Sequence, residues 1–482
     1  MEVSFDQCRP GPEAPGSPAK RPRVRRRTRW IAMSAALTLP LLRMSRVLGQ
    51  EDEVGYRRSY YQEDDNRINV TTDTANFDIG LRDNIRVTGD FVIDAISGAT
   101  PSGAPPQTKW PFPTFNNYYQ SAYPVAYGNQ YNQFITDNQI YVDSGLETYQ
   151  QLTNDAAAYA VLTAPGIATN TASGQYQTLT NNPNIHNSKV PLVKMHDRRT
   201  AFSLGVPMTF GPHQITPSFA YSRESDYLSY GGALNYSLSL NDKNTTLSTG
   251  WSHNGDTVRD DLFKWQPKTT DDVFLGLVQL FGPKAYLTVN ASLGFEEGYL
   301  ADPYRGVMLA TELQLNPNDP ALSPERRPRR RTDEILYTSW TQFITPLNGS
   351  YELNYRFFHD SYGIFANTAE LDWHQKIGKH IVVSPMFRYY IQNSADFYYV
   401  LVPDYSPAAG VYLPAPKYYS SDYRLSEFES FATGITFTWR IVGHLSLDLG
   451  YMRYIMRGLD GATSQSAYPS ANVFNVGLRV WF

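Results

Sequence analysis

The chain ends Asn472-Val-Phe-Asn-Val-Gly-Leu-Arg-Val-Trp-Phe482, and this ending constrains the fold more than any other stretch. Successive side chains of a β-strand point to opposite faces. Phe474, Val476, Leu478, Val480 and Phe482 therefore share one oily face, while Asn475, Gly477, Arg479 and Trp481 share the other. A packed sandwich core has no use for an arginine and an asparagine on its buried side. A transmembrane β-barrel strand does, because one face meets lipid and the other a wet lumen.

The rest of the chain is consistent with that strand. Thirty-five Tyr, 24 Phe and 8 Trp stand beside 33 Gly and 32 Pro, a mixture that favours strands and turns. Mean hydropathy is −0.42 and no run of 18 apolar residues occurs, which argues against helical membrane spans but not against a barrel. Counting back from Phe482, alternating segments are joined at one end by short turns around residues 82–84, 210–213, 241–244, 281–284, 346–349, 378–379 and 441–443. At the other end most connections are long: 97–197, 254–270, 298–332, 398–424 and 458–471, with shorter ones near Glu63, Ser225 and Asp360. Short periplasmic turns and long outer loops are the asymmetry of outer-membrane barrels.

The expected architecture is all-β: an antiparallel up-and-down transmembrane barrel. Its sixteen strands fall at 54–62, 67–81, 85–96, 198–210, 213–225, 228–240, 245–254, 271–281, 285–297, 333–345, 350–359, 364–377, 380–393, 426–440, 444–457 and 472–482. Fourteen is the alternative, because Tyr56 to Tyr61 alternates poorly. Pro207, Pro217 and Pro385 fall inside strands and cannot donate ladder hydrogen bonds, so bulges are expected there. Residues 50–482 form the barrel domain. Residues 1–49 read as a secretory signal peptide with a long basic n-region, an apolar stretch from Trp30 to Leu42 and small residues before Gln50. The leader takes ten of the 42 Lys and Arg and three of the 46 Asp and Glu, leaving an acidic chain that disfavours nucleic-acid binding. The single cysteine, Cys8, leaves with it, so no disulfide or thiolate metal site is expected.

Tyr60 to Ile68, Asp94-Ala-Ile-Ser-Gly-Ala-Thr-Pro-Ser-Gly-Ala104 and Tyr221 to Tyr227 resemble an uncharacterised bacterial outer-membrane barrel family, domain of unknown function 3570. The likeness spans nearly all of residues 54–482. It implies a barrel in the outer membrane of a Gram-negative type cell and supplies no substrate, cofactor or catalytic residue. The terminal Phe482 likewise resembles the signal read by the barrel-assembly machinery.

Strand parity places Arg86, Thr88, Asp90 and Asp94 in the lumen, with Arg199, Ser222 and Glu224 inward and Asp226 just beyond. Asp94, Arg199, Glu224 and Asp226 are expected to meet near the outer mouth, as a substrate or Ca²⁺ site or as a bracing network. A second inward set, Glu352, Arg356, Glu370, Asp372, His374, Lys376 and Arg388, either tunes which solutes pass or braces the interior. Arg326, Arg327, Arg329, Arg330 and Arg331 lie in an outer loop, where they either contact lipopolysaccharide phosphates or form a solvated charge run. Asp256, Asp260, Asp261, Asp271 and Asp272 look like an acidic counterpart in another outer loop. No hydrolase elbow, zinc-protease helix or phosphate loop occurs, and no enzymatic activity or cofactor is expected. The long connection at 97–197, with a short helix expected at 146–162, either constricts the lumen or covers the mouth. Two functions follow as expectations: a porin-like passive channel for small polar solutes, or a closed barrel whose outer loops contact lipopolysaccharide or a partner protein.

Overall fold

The computed structural model describes residues 51–103, 189–315, 321–406 and 411–482. The leader and the body of the long insertion, with its expected helix, lie outside them. One sheet contains sixteen wall strands. The first five are β1 (Glu53–Glu63), β2 (Asn69–Arg82), β3 (Ile85–Pro101), β4 (Leu192–Gly205 continued by Met208–Phe210) and β5 (His213–Arg223). Then come β6 (Tyr227–Leu240), β7 (Thr245–Arg259), β8 (Trp265–Leu280), β9 (Ala285–Gly298) and β10 (Arg330–Ile344). The last six are β11 (Gly349–Asp360), β12 (Phe365–Ile377), β13 (Ile381–Gln392), β14 (Phe428–Val442), β15 (Leu445–Gly458) and β16 (Ser470–Trp481).

Each strand pairs antiparallel with the next, and β1 pairs with β16 from Glu53↔Trp481 to Glu63↔Ala471. The wall is therefore closed and exposes no sheet edge, which a strand structure in lipid requires. β1 is a full wall strand, so the count is sixteen. Its weak alternation comes from Arg58, which faces outward beside Asp73 of β2 at 3.6 Å, while the Tyr56 hydroxyl donates to the same carboxylate at 2.6 Å. On the outer face Leu275, Leu371, Phe387, Ile435, Val476 and Leu478 are all exposed, as lipid-facing side chains must be.

Two expectations are corrected. The strands at the long-loop end run further than hydrophobic alternation indicates, because the polar ladder continues above the lipid band. β7 and β8 stay paired to Arg259↔Trp265, which shrinks the expected 254–270 loop to residues 260–264. β3 likewise does not turn at Ser97-Gly98 but continues to Pro101, paired with Leu192. Gly98 permits this crossing: its φ is +122°, and a Cβ there would lie 1.8 Å from the Arg67 carbonyl oxygen.

The prolines also act differently from expectation. Pro207 interrupts β4 without changing register, Pro217 pairs with Leu234, and Pro385 pairs with Ile435. The β12–β13 ladder skips the rungs at Trp373 and His374 opposite Pro385 and Ser384, yet resumes in the same register. The missing N–H opens a gap rather than inserting a residue. Register shifts occur instead at Gly80/Arg82 and Arg440/Val442, beside short turns.

Candidate functional site: the lumen and its capped mouth

Inward parity gathers the polar residues of neighbouring strands. Near the long-loop end of β3 and β4, which pair Asp94 with Arg199, the Arg199 guanidinium donates to Asp94 at 2.6 Å, and Ser203 donates to Asp90 at 3.1 Å. Glu224 and Asp226 of the β5–β6 turn come together as expected, but their companion is Asp197, one inward position above Arg199 on β4. Starting that strand at 198 hid Asp197, although it shares the parity of Arg199. The three carboxylates each offer an oxygen within 4.8 Å of the others. Ser225 donates to both Asp197 oxygens, at 2.8 and 2.9 Å, and the Tyr304 phenol donates to Asp226.

Arg199 is held by Asp94 and also favours a charged Glu224, but burial and the neighbouring carboxylates outweigh it. Burial, then the neighbouring Asp226, pushes the Glu224 carboxyl up to about 8. A proton on Glu224 relieves the repulsion. An oxygen-seeking cation such as Ca²⁺ would do the same, with water completing the coordination these residues leave open. The linkage has a definite sign. A raised carboxyl pKa favours the folded turn below the ordinary carboxyl range, and that stability is lost as pH rises toward 8. Glu224→Gln should therefore slow amide exchange of Ser225 to Tyr227 at pH 8 by about tenfold or more, and change it little at pH 5. Equal rates in the two proteins at pH 8 would contradict this.

Deeper in the lumen, β11 to β13 carry the second set on adjacent inward positions. Glu352 stands directly across from Asp372, and Arg388 lies 3.8 Å from Glu370. Asn354 donates to Glu370 at 3.4 Å and Ser339 to Glu352 at 3.2 Å. His374 Nδ1 lies 2.9 Å from the Ser384 hydroxyl, bridging the ladder gap opposite Pro385. Arg356 lies over Phe358, 5.9 Å from the ring centre. Three strands beyond β13, Arg479 of β16 reaches Glu53 at 3.6 Å and Asp448 at 3.7 Å. The side chains of Arg388 and Arg479 are 47% and 40% exposed although both face inward.

The largest feature was not legible in sequence. The β9–β10 and β13–β14 connections fold together over the mouth. Gly306–Leu309 pairs with Leu322–Pro324 and with Leu401–Val402, burying Val307 and Val402. Tyr362, Ile364, Phe397 and Leu425 pack on Ala366 of β12, and Tyr423 packs with Phe428 of β14 and Tyr468. Ala366 and Phe428 share the inward parity, so these loops sit inside the rim as a cap rather than standing away from it.

Six charges of the cap form one network: Asp302, Glu325 and Asp422 against Arg305, Arg327 and Arg424. Asp422 is 1% exposed and is bound by Arg424, by Arg327 at 2.9 Å and by Arg305 at 3.8 Å. Arg327 also pairs with Glu325 at 2.7 Å, and Arg424 with Asp302 at 2.5 Å. Arg305 donates to the Pro101 carbonyl oxygen and, at 3.3 Å, to Thr100, tying the cap to the end of β3. Burial opposes charge on Asp422, yet Arg424 and then Arg305 hold its carboxyl well below the ordinary range.

The arginine run is divided by this arrangement. Arg327 turns into the cap, and Arg331 pairs with Asp360 at 2.6 Å and Glu296 at 3.4 Å. Arg326 and Arg329 are exposed, with Arg326 over Tyr419, and Arg330 pairs with Glu297 in the open. The expected acidic loop is dispersed as well. Asp256 and Asp272 face inward on β7 and β8, Asp271 meets His253 on the outside, and Asp260 accepts from the Leu262 and Lys264 backbone N–H groups.

The family described as "Protein of unknown function (DUF3570)" matches residues 31–264 and 261–472. No curated protein matches the chain. Among solved structures it is similar to the siderophore receptor PirA from Pseudomonas aeruginosa, at 10% identity over 89% of this chain and 62% of that one, with a TM-score of 0.37. It is also similar to CdiB from Acinetobacter baumannii, at 7% identity over 90% and 60%, with a TM-score of 0.42. A third similar structure is OccK11 (OpdR) from Pseudomonas aeruginosa, at 8% identity over 90% and 96%, with a TM-score of 0.36. The chain spans about three fifths of the length of the first two.

Proposed function

We infer that this chain, which belongs to the family of proteins of unknown function DUF3570, is a porin-like passive channel for small polar solutes in a bacterial outer membrane. The observation that carries this reading is the water-open charge on the inner wall. Arg388 and Arg479 face the lumen three strands apart, and they keep 47% and 40% of their side-chain surface uncovered. Side chains cannot fill a closed wall of sixteen strands, and charged groups do not stand half-open in a dry interior. Under this reading the short-turn end is periplasmic and the capped end faces outward. Residues 1–49 are an export leader, and Phe482, exposed at the end of the closing strand, is the mark read by the assembly machinery.

One observation favours a second reading, a barrel sealed at rest whose outer loops present a binding surface. Asp422 and its three arginines hold the cap inside the rim. Arg326 and Arg329 would then be the exposed contacts for lipopolysaccharide or a partner protein. Liposome swelling separates the two. Proteoliposomes of the channel should swell in small sugars and stay unchanged in a large dextran. Swelling no faster than that of empty liposomes would sink the channel reading and leave the sealed barrel.

A further inference from the structure

Above the lipid band on β4, exposure alternates cleanly: Leu192, Lys194, His196 and Arg198 are exposed, while Met195 and Asp197 are buried. These exposed positions share the parity of Phe202 and Leu204, so they point outward. Arg223 is exposed and outward on β5, opposite Thr200, which places it diagonal to Arg198. At strand spacing Lys194 stands roughly 13 Å from Arg198, with His196 between them, and Arg223 roughly 7 Å from Arg198 on the diagonal. Directly below lies an aromatic cluster: Phe202 is 5.5 Å from Tyr221, and Tyr221 is 5.3 Å from Tyr230, centre to centre. Such a cluster marks the boundary between acyl chains and headgroups. On the β3 side, Arg198, His196 and Lys194 face Ala95, Ser97 and Ala99 across the ladder, leaving a shelf without bulk.

Three outward cations elsewhere at this end have carboxylate partners. Arg330 pairs with Glu297 at 2.9 Å, Arg453 with Asp64 at 2.5 Å and Arg457 with Glu429 at 2.7 Å. Among the described residues no carboxylate lies within ion-pair distance of Lys194, Arg198 or Arg223. A stripe of three uncompensated cations at headgroup height, over a flat shelf and an aromatic footing, has the charge and position for a phosphate-bearing lipid headgroup. Arginine forks and a lysine ammonium suit phosphate oxygens.

We propose that Lys194, Arg198 and Arg223 bind the phosphate group of an anionic lipid in the leaflet at the long-loop end. The proposal rests on reading that end as the outer leaflet, and it does not depend on whether the lumen conducts. The test uses native mass spectrometry of the purified full barrel with a bisphosphorylated glycolipid and the same lipid stripped of phosphate. The bisphosphorylated lipid should be retained preferentially. The triple variant Lys194→Gln, Arg198→Gln, Arg223→Gln should lose that preference by about tenfold or more, since each surface cation adds to the attraction for an anionic lipid. A control triple, Arg330→Gln, Arg453→Gln, Arg457→Gln, should keep it. Equal retention by the two triples would overturn the proposal. Full displacement by millimolar inorganic phosphate would also overturn it, because the stripe would then be a free-phosphate site. Five of the six positions are exposed and Arg453 is partly exposed, and heat-modifiable gel migration checks that both triples fold. A barrel silent in bilayers that still discriminates the phosphorylated lipid refutes the channel and keeps this site. One that conducts but does not discriminate does the reverse.

Discussion

Replacing Asp422 with alanine is expected to release the cap from the mouth while the wall stays closed. Asp422 is the common partner of Arg305, Arg327 and Arg424, and its removal leaves buried guanidiniums with less compensation than their desolvation demands. Breaking a buried ion network from one side costs about 3–5 kcal/mol. The small apolar patches around Val307 and Tyr362 must hold the cap without it. The sixteen-strand ladder shares no hydrogen bond with the Asp422 side chain, so heat-modifiable migration should persist. Single-channel conductance should rise and become noisier, and the β13–β14 connection should become open to protease. Arg330→Ala, which removes a pair standing in solvent, should do neither. An Asp422→Ala barrel with unchanged conductance and protease resistance would mean that the cap is held by something other than this network.

The second large effect concerns ion preference. Glu352 faces Asp372 across the β11–β12 ladder, and Glu370 has a single arginine at 3.8 Å. Like charges directly opposite each other destabilise a sheet pair, so water must screen them. A wall of this kind concentrates cations at its surface and disfavours anions. The native channel should therefore show a cation-preferring reversal potential in a salt gradient. The triple variant Glu352→Gln, Glu370→Gln, Asp372→Asn leaves Arg356, Lys376 and Arg388 on the same wall. Its reversal potential should cross zero toward anion preference, and the effect should fade at high ionic strength. A reversal potential untouched by the substitutions would show that solutes do not pass this wall. The variant also removes repulsion, so the sheet should be no less stable than the native one.

The wall was readable from residue order because lipid imposes one rule on every strand. Phe474, Val476, Leu478 and Val480 face outward as alternation requires, and the same parity places Glu370, Asp372 and Arg388 inside. Where the rule fades, so did the reading. The upper ends of β3, β7 and β8 stand above the lipid band, and their polar outer faces hide the strand period. Arg58 breaks the alternation of β1 because Asp73 compensates it from the neighbouring strand, a pairing that no local pattern announces. The cap was beyond reach for a different reason. Asp302, Arg327 and Asp422 come from loops separated by up to 120 residues, with no spacing or repeat to join them, and only the closed barrel brings those loops over one mouth. The rim cluster lies between these cases: Asp94, Arg199, Glu224 and Asp226 follow from parity, and Asp197 was lost only through a strand start set too late.

The central claim, a wet lumen that conducts past its cap, is tested most directly by planar-bilayer recording of the purified full-length barrel. Stepwise, ohmic conductance increments on insertion are the predicted result. Folded native barrel that inserts into the bilayer and stays silent would contradict it, and conductance found only in Asp422→Ala would mark the sealed barrel of the second reading.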